Sequence, residues 1–255
     1  MRKYVTEFIG TFGLVFTVGM AVFKAGGLAP LAIGAVLMVL VYAGGHISGA
    51  HYNPAVTLGV FLRGKMPATD VLAYWAAQLV AALVAAWFAR FIANPAPFTA
   101  QSLAGAHGIF AALLAEFFFT FALVYVVLNV ATSRDQPNNH FFGLAIGFTV
   151  AAGAFAVGPV SGGAFNPAVA FGATVMGLFS WQNIWIYLLA NPLGAIVAAL
   201  AFRYLNPDDD VSGGLLSRLP KFPVAKPVSE PVAQPVSEPV PEPVPDPVSE
   251  PTTEQ

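Results

Sequence analysis

The chain has 255 residues, of which 57% are hydrophobic and 9% are charged, with a mean hydropathy of +0.71 and a formal net charge of -2. A soluble domain carries roughly 25% charged residues, so this composition excludes an ordinary soluble protein and indicates an integral membrane protein. The absence of cysteine from the sequence excludes disulfides, thiolate metal sites and thiol nucleophiles.

Apolar runs long enough for a membrane-spanning helix of about 20 residues occur six times along the chain. The predicted spans are residues 4–23, 30–43, 71–92, 106–130, 141–157 and 184–204. Two further apolar segments, residues 54–62 and 167–178, are too short to cross and predict half-helices that enter the membrane and turn back. The predicted fold class is therefore an all-α membrane protein with six transmembrane helices and two re-entrant half-helices.

The two halves of the chain repeat. Glu7 opens a Glu-Phe-Ile-Gly-Thr segment that matches Glu-Phe-Phe-Phe-Thr at Glu116, 109 positions later, and Asn53 matches Asn166 at an offset of 113. Because each half contains three spans, an odd number, the second half is predicted to be inverted relative to the first about an axis in the membrane plane. These inverted repeats cover about residues 4–93 and 106–205 of a transmembrane domain that spans residues 1–205.

Each predicted half-helix follows a Gly-rich loop that ends in Asn-Pro-Ala. The first motif is Asn53, Pro54 and Ala55, and the second is Asn166, Pro167 and Ala168. Asn caps helix N-termini well and Pro is favoured at the first helical position, so each motif predicts the start of a helix. Non-helical backbone at membrane depth must line a cavity or be covered by protein, so two such loops predict a polar path. Facing helix N-termini repel cations, and the Asn amides can donate a hydrogen bond to a neutral solute.

The paired motifs resemble the aquaporin and glycerol-channel family, the major intrinsic proteins. The resemblance covers about residues 4–205 and includes both Asn-Pro-Ala loops, the two Glu segments, Ala77-Gln78 in the third span and Pro192-Leu193-Gly194 in the sixth. It implies an aquaporin-like fold, one pore in each protomer of a homotetramer, and passive conduction of water and small neutral solutes across the lipid bilayer. It implies no reaction, catalytic residue, cofactor, metal or nucleic-acid partner.

In that family a second constriction is lined by four residues, which counting from the two asparagines places at Ile33, Ala154, Gly163 and Val169. Water-selective and glycerol-conducting members have an Arg at the last of these positions, whereas some plant vacuolar members resemble this chain in having Val. Loss of the guanidinium removes a fixed positive charge and up to five hydrogen-bond donors. The resulting selectivity filter is predicted to be wide and apolar, with glycerol, urea, hydrogen peroxide and metalloid hydroxides as candidate solutes. Ala170 stands where glycerol channels carry Asp, so the preference between water and glycerol stays open.

Two acidic residues lie inside the predicted spans, Glu7 and Glu116, and an ionisable group there suggests a function by default. Proton coupling is one hypothesis. The preferred one is structural, because the repeat and the family resemblance suggest that each carboxylate accepts hydrogen bonds from the adjacent loop and holds its half-helix. His46 and His51 flank the first motif at a spacing that does not suit a metal site on a helix, and they are interpreted as packing donors.

The distribution of basic residues predicts the orientation in the membrane. If both termini lie on one side, six basic residues of the transmembrane domain face that side and two, Lys24 and Arg90, face the other. The positive-inside rule then places both termini in the cytoplasm, with the cell membrane as the expected location.

Residues 206–255 contain Pro-Val-Ser-Glu-like repeats and predict a disordered, extended cytoplasmic tail. Docking of this tail to the aromatic groove of an unknown protein partner is the alternative.

Two other functions compete with a channel. A secondary transporter also has inverted repeats and broken helices, and a structural membrane protein would have a closed pore. Saturable or proton-driven transport would favour the first, and flux no faster than that of empty vesicles would favour the second.

Overall fold

The computed structural model describes residues 1–97 and 99–209, and the predicted tail beyond residue 209 lies outside the described residues. The helices of this part are α1 (Arg2–Lys24), α2 (Ala29–Ser48), α3 (Pro54–Arg63), α4 (Ala68–Ala93), α5 (Gly105–Thr132), α6 (Phe142–Ser161), α7 (Pro167–Met176) and α8 (Ile184–Leu205). Six of them are long and apolar enough to cross a membrane, whereas α3 and α7 have ten residues each. The predicted fold class is confirmed.

Helices α2 and α6 continue beyond their predicted ends. They run to Ser48 and Ser161, whereas the predicted spans ended before the Gly-rich stretches. Gly44 stays helical within α2, and a Cβ atom there would collide with the side chain of Tyr52. The two helices end where Gly49 and Gly162 adopt left-handed conformations with φ of 85° and 93°, which glycine reaches without steric cost.

The packing of the helices explains how two short helices are held at the centre. In the first half α1 packs against α2 and α4, and in the second half α5 packs against α6 and α8. Each half-helix packs against a long helix of the other half, α3 against α8 and α7 against α4. Helices α2 and α6 join the halves where Gly34 meets Gly147; a Cβ atom on Gly34 would lie 2.6 Å from the Gly147 carbonyl oxygen. Small residues thus permit the close approach that builds the site.

Candidate functional site

The two Asn-Pro-Ala motifs begin the half-helices through asparagine caps. Asn53 Oδ1 accepts a hydrogen bond from the backbone N–H of Ala55 at 2.8 Å, and Asn166 Oδ1 accepts one from the N–H of Ala168 at 2.9 Å. Pro54 and Pro167 occupy the first helical positions, where a missing N–H costs no hydrogen bond.

The same asparagines also tie the two loops to each other. Asn53 Nδ2 donates to the carbonyl of Phe165, and Asn166 Nδ2 donates to the carbonyl of Tyr52, both at 2.9 Å. The N-termini of α3 and α7 therefore meet head to head. An amide nitrogen carries two hydrogens, so the cross-loop bond uses one donor of each asparagine.

The residue before each asparagine has an unusual backbone conformation that permits the hydrogen bonds between the two loops. Tyr52 and Phe165 both have φ of 49°, in the left-handed region that non-glycine residues rarely adopt. The N–H of each donates to a buried glutamate of its own half, while its carbonyl accepts from the asparagine of the other half. Holding two such residues costs about 1–3 kcal/mol each, and these hydrogen bonds offset that cost.

Glu7 is fully buried and accepts hydrogen bonds from four donors. Its Oε1 accepts from the Ser48 hydroxyl at 2.7 Å and the His51 N–H at 2.9 Å. Its Oε2 accepts from the Tyr52 N–H at 2.7 Å and from Gln78 Nε2 at 2.8 Å. The carboxylate thus fixes the backbone of the first loop through its hydrogen bonds to Ser48, His51 and Tyr52.

Glu116, also fully buried, has the corresponding environment in the second half. Its Oε1 accepts from the Ser161 hydroxyl at 2.7 Å and the Ala164 N–H at 3.0 Å. Its Oε2 accepts from the Phe165 N–H at 2.8 Å. With the amide of Asn191 oriented so that its oxygen accepts from the Asn166 N–H, its nitrogen donates to Glu116 Oε2 at 3.1 Å.

Four supporting residues were not identified as site residues from the sequence. Gln78 and Asn191 donate to the glutamates, while the Tyr74 and Tyr187 hydroxyls donate to the carbonyls of Ser48 and Ser161 at 2.7 and 2.5 Å. The repeat could have identified these residues, because Gln78 and Asn191, and likewise Tyr74 and Tyr187, are separated by 113 positions.

A cavity of about 580 Å³ runs between the two halves and reaches both asparagines. All four predicted filter residues, Ile33, Ala154, Gly163 and Val169, line it. Two of them are in close contact, since a Cβ atom on Gly163 would lie 3.3 Å from the Ala154 Cα. None of the four side chains can donate or accept a hydrogen bond.

Polar side chains are few along this cavity. Those among the described lining residues are His51, Asn53, Thr99, Gln101 and Asn166. Thr99 and Gln101 belong to the segment between α4 and α5, which carries no motif, so neither residue could be selected from the sequence. Acidic side chains are absent from the described lining of this cavity.

A second cavity of about 390 Å³ adjoins the first, because His51 and Val127 line both. His51 is buried, and its Nδ1 lies 3.1 Å from the Thr57 hydroxyl. His46 is exposed at the end of α2, so the interpretation as a packing donor fits His51 and is wrong for His46. Lys65 and Asp70 give the second cavity a charged wall.

The far end of α3 carries a buried ion pair. Arg63 pairs with Asp209, and the two side chains are 1% and 0% exposed. The Arg134 N–H donates to Asp209 Oδ2 at 3.1 Å, and the Arg63 guanidinium lies 4.7 Å from the Phe202 ring. Burial raises the pKa of the Asp209 carboxyl, but hydrogen bonds from Arg134 and Ser133 and the charge of Arg63 outweigh it, so the pKa lies below its usual value. Asp209, which falls within the predicted tail, is thus packed against the helical domain.

Among residues 1–97 and 99–209 no cluster of three or more His, Asp or Glu side chains could hold a metal ion.

Residues 1–202 match the family model described as Major intrinsic protein. The chain is 37% identical over 217 residues to glycerol uptake facilitator protein-like 6 of Lactiplantibacillus plantarum, covering 82% of this chain and 100% of that protein. It is 37% identical over 220 residues to aquaporin NIP1-4 of Oryza sativa subsp. japonica, covering 82% and 79%. Aquaporin AqpM of Methanothermobacter thermautotrophicus is 34% identical over 246 residues, with 81% and 98% covered.

Among solved structures, the aquaglyceroporin from Plasmodium falciparum superposes with a TM-score of 0.66. The match covers 79% of this chain and 94% of that one at 24% sequence identity, and so bears on the fold.

Proposed function

The chain belongs to the major intrinsic protein family, and from that premise we propose which solutes it conducts, through which residues, and in which assembly. Its function is that of a passive membrane channel for water and small neutral solutes. It is not an enzyme, and neither competing function, a secondary transporter or a closed structural protein, is favoured by the relatives.

One observation carries the proposal: the N-termini of two half-helices meet inside a continuous cavity. Each N-terminus carries a partial positive charge of roughly half an elementary charge, and both asparagines line the cavity. Two such ends facing each other disfavour a cation at the meeting point, whereas a neutral solute can accept the remaining amide hydrogens of Asn53 and Asn166. Glu7 and Glu116 act as braces that hold both loops in this position.

The four residues Ile33, Ala154, Gly163 and Val169 form the proposed selectivity filter. They offer an apolar surface without charge. Because no arginine side chain narrows this ring, exclusion by size is weak, and because the ring has no positive charge, the half-helix dipoles carry most of the cation exclusion. Glycerol, urea, hydrogen peroxide and metalloid hydroxides are the proposed solutes beside water.

The test is stopped-flow light scattering of proteoliposomes under inward gradients of water, glycerol and urea, compared with protein-free vesicles. A passive channel gives fluxes that rise linearly with the gradient and do not respond to an imposed proton gradient. Saturation or proton dependence would support a transporter. Water flux alone, without glycerol or urea flux, would show that the filter is narrower than proposed.

The assembly and the orientation are part of the proposal. A homotetramer is supported by the family, and apolar side chains on the outer faces of the helices, such as Ile9, Val39, Phe118 and Phe148, which are 51–58% exposed, are available to contact lipid or a neighbouring protomer. Native mass spectrometry in detergent tests it by mass. The protein is proposed to lie in the cell membrane with both termini in the cytoplasm. Labelling of single cysteines introduced at Lys3 and Lys24, from either side of the membrane, would test the orientation.

A further inference from the structure

We propose that Gln101 is a specificity-determining residue of the filter, and that it selects neutral solutes bearing hydroxyl or amide groups. The inference rests on the proposed channel function and names a hydrogen-bonding side chain, which the four filter residues lack. No motif in the sequence marks this residue.

The filter needs a polar group that its four members do not supply. A solute that fills a constriction sheds water on the side that faces the wall, and a polar group that loses water without gaining a partner raises the barrier. Ile33, Ala154, Gly163 and Val169 present only hydrocarbon surface or backbone there. Of the five polar residues along the cavity, His51, Asn53 and Asn166 belong to the Asn-Pro-Ala loops. Gln101 and Thr99 lie instead on the segment between α4 and α5.

The backbone of Gln101 is held in place by the segment that follows α7. Its N–H donates to the Leu178 carbonyl at 2.8 Å, and its carbonyl accepts from the Ser180 N–H at 3.1 Å. The two bonds form an isolated bridge with Phe179. These bonds occupy the backbone N–H and carbonyl of Gln101, so its side-chain amide is the group left to pair with a solute.

The amide lies next to the filter. Gln101 Oε1 is 3.3 Å from the position that a Cβ atom on Gly162 would take, and Gly162 directly precedes the filter residue Gly163. A side chain at position 162 would also run into the Phe179 ring. Glycine at this position therefore leaves the space in which the amide reaches the cavity wall beside the filter.

The chemistry of an amide fits neutral polar solutes. It offers two donors and one acceptor and carries no charge, so it can pair with a hydroxyl or an amide without attracting an ion. Water depends less on this group, because a water molecule in a wide filter keeps hydrogen bonds to the water molecules before and behind it. Solutes as large as glycerol or urea fill the filter and depend on the wall.

The experiment compares Gln101→Leu, which replaces the amide by a somewhat shorter apolar side chain, with the native protein in the stopped-flow assay for water, glycerol and urea. We expect the permeabilities for glycerol and urea to fall by roughly 2- to 12-fold, the range that one net hydrogen bond of about 0.5–1.5 kcal/mol corresponds to, while water permeability changes less than 2-fold. Gln182→Leu is the matched control, since Gln182 is exposed and does not line the described cavity.

Three outcomes would overturn the inference: unchanged glycerol and urea permeabilities in Gln101→Leu, an equal fall for water, glycerol and urea, or the same change in Gln182→Leu. If Gln101→Leu does not assemble, Gln101→Met provides the same loss of polarity with an unbranched side chain, and the same criteria apply. Failure of the channel proposal itself looks different, because native vesicles would then pass no solute faster than protein-free vesicles.

Discussion

The brace formed by Glu116 yields the sharpest prediction, concerning the substitution Glu116→Gln. The carboxylate accepts from Ser161 and Ala164 at one oxygen and from Phe165 and Asn191 at the other. A glutamine has one acceptor oxygen and one NH2 group, so in either orientation its NH2 faces two donors. The Ser161 hydroxyl can turn to accept, and the Asn191 amide can rotate, but a backbone N–H cannot.

At least one buried backbone N–H is therefore left without an acceptor, and the remaining bonds lose their charge. A hydrogen bond to a charged group contributes about 1.5–3 kcal/mol, and an unsatisfied buried donor costs about 1–3 kcal/mol. We expect Glu116→Gln to lower the free energy of unfolding by about 2–4 kcal/mol. At the usual scaling for chains of this size, that lowers Tm by roughly 5–15 °C.

The assay is thermal unfolding of purified protein in detergent, followed by tryptophan fluorescence. Asp135→Asn is the control, because it removes the same charge from an exposed residue and should leave Tm unchanged. A Glu116→Gln protein that melts within about 2 °C of the native one would refute the bracing role. If its flux also lost a dependence on the proton gradient that the native protein had, proton coupling would be the better account.

Three further predictions follow from single contacts. Val169→Arg replaces a short apolar side chain in the filter by a long guanidinium and should lower urea permeability at least about 10-fold, as expected for about 1.4 kcal/mol or more. Water flux should persist in the stopped-flow assay, and its loss would contradict this prediction. Asp209→Asn removes the carboxylate charge that pairs with Arg63 and should lower the free energy of unfolding by about 1.5–3 kcal/mol at pH 7, the contribution of a hydrogen bond to a charged group. Folding lowers the pKa of Asp209. The contribution of Asp209 to the free energy of unfolding is therefore complete above the ordinary Asp pKa of about 4 and is lost as the pH falls through the lower pKa of the folded state. A Tm difference between native protein and variant that stays constant down to pH 3 would oppose this. Gly194→Ala puts a Cβ atom 2.6 Å from the Phe117 carbonyl oxygen. The forced separation of α5 and α8 should lower the free energy of unfolding by about 1–3 kcal/mol, measured by the same thermal unfolding. An unchanged Tm would show that the helices can shift without cost.

The features that could be predicted from the sequence are those that the repeat and the helix-start chemistry determine. Spans appear as long apolar runs, and the half-helices appear as Asn-Pro motifs at equivalent positions. The Arg63–Asp209 pair could not be predicted, because it joins residues 146 positions apart and has no counterpart in the second half, where Met176 occupies the position equivalent to Arg63. Gln101 escaped prediction for a related reason: its place is set by backbone bonds to the segment after α7, which leave no trace in local sequence pattern.

The repeat also explains why selection is assigned to the residues that break it. Seven pairs of residues related by the offset of 113 line the cavity, among them Ile33 with Ile146, Val56 with Val169, and Asn53 with Asn166. The identical pairs present a solute with similar surfaces on both sides of the centre, and neither valine position carries a charge. Polar groups without a polar counterpart in the repeat offer a solute a hydrogen-bonding contact at one end only, and Gln101 is such a group. In a member with Arg in place of Val169 the guanidinium itself breaks the symmetry; in this chain a neutral amide from outside the repeat does so, which favours neutral hydrogen-bonding solutes over a strict filter for water.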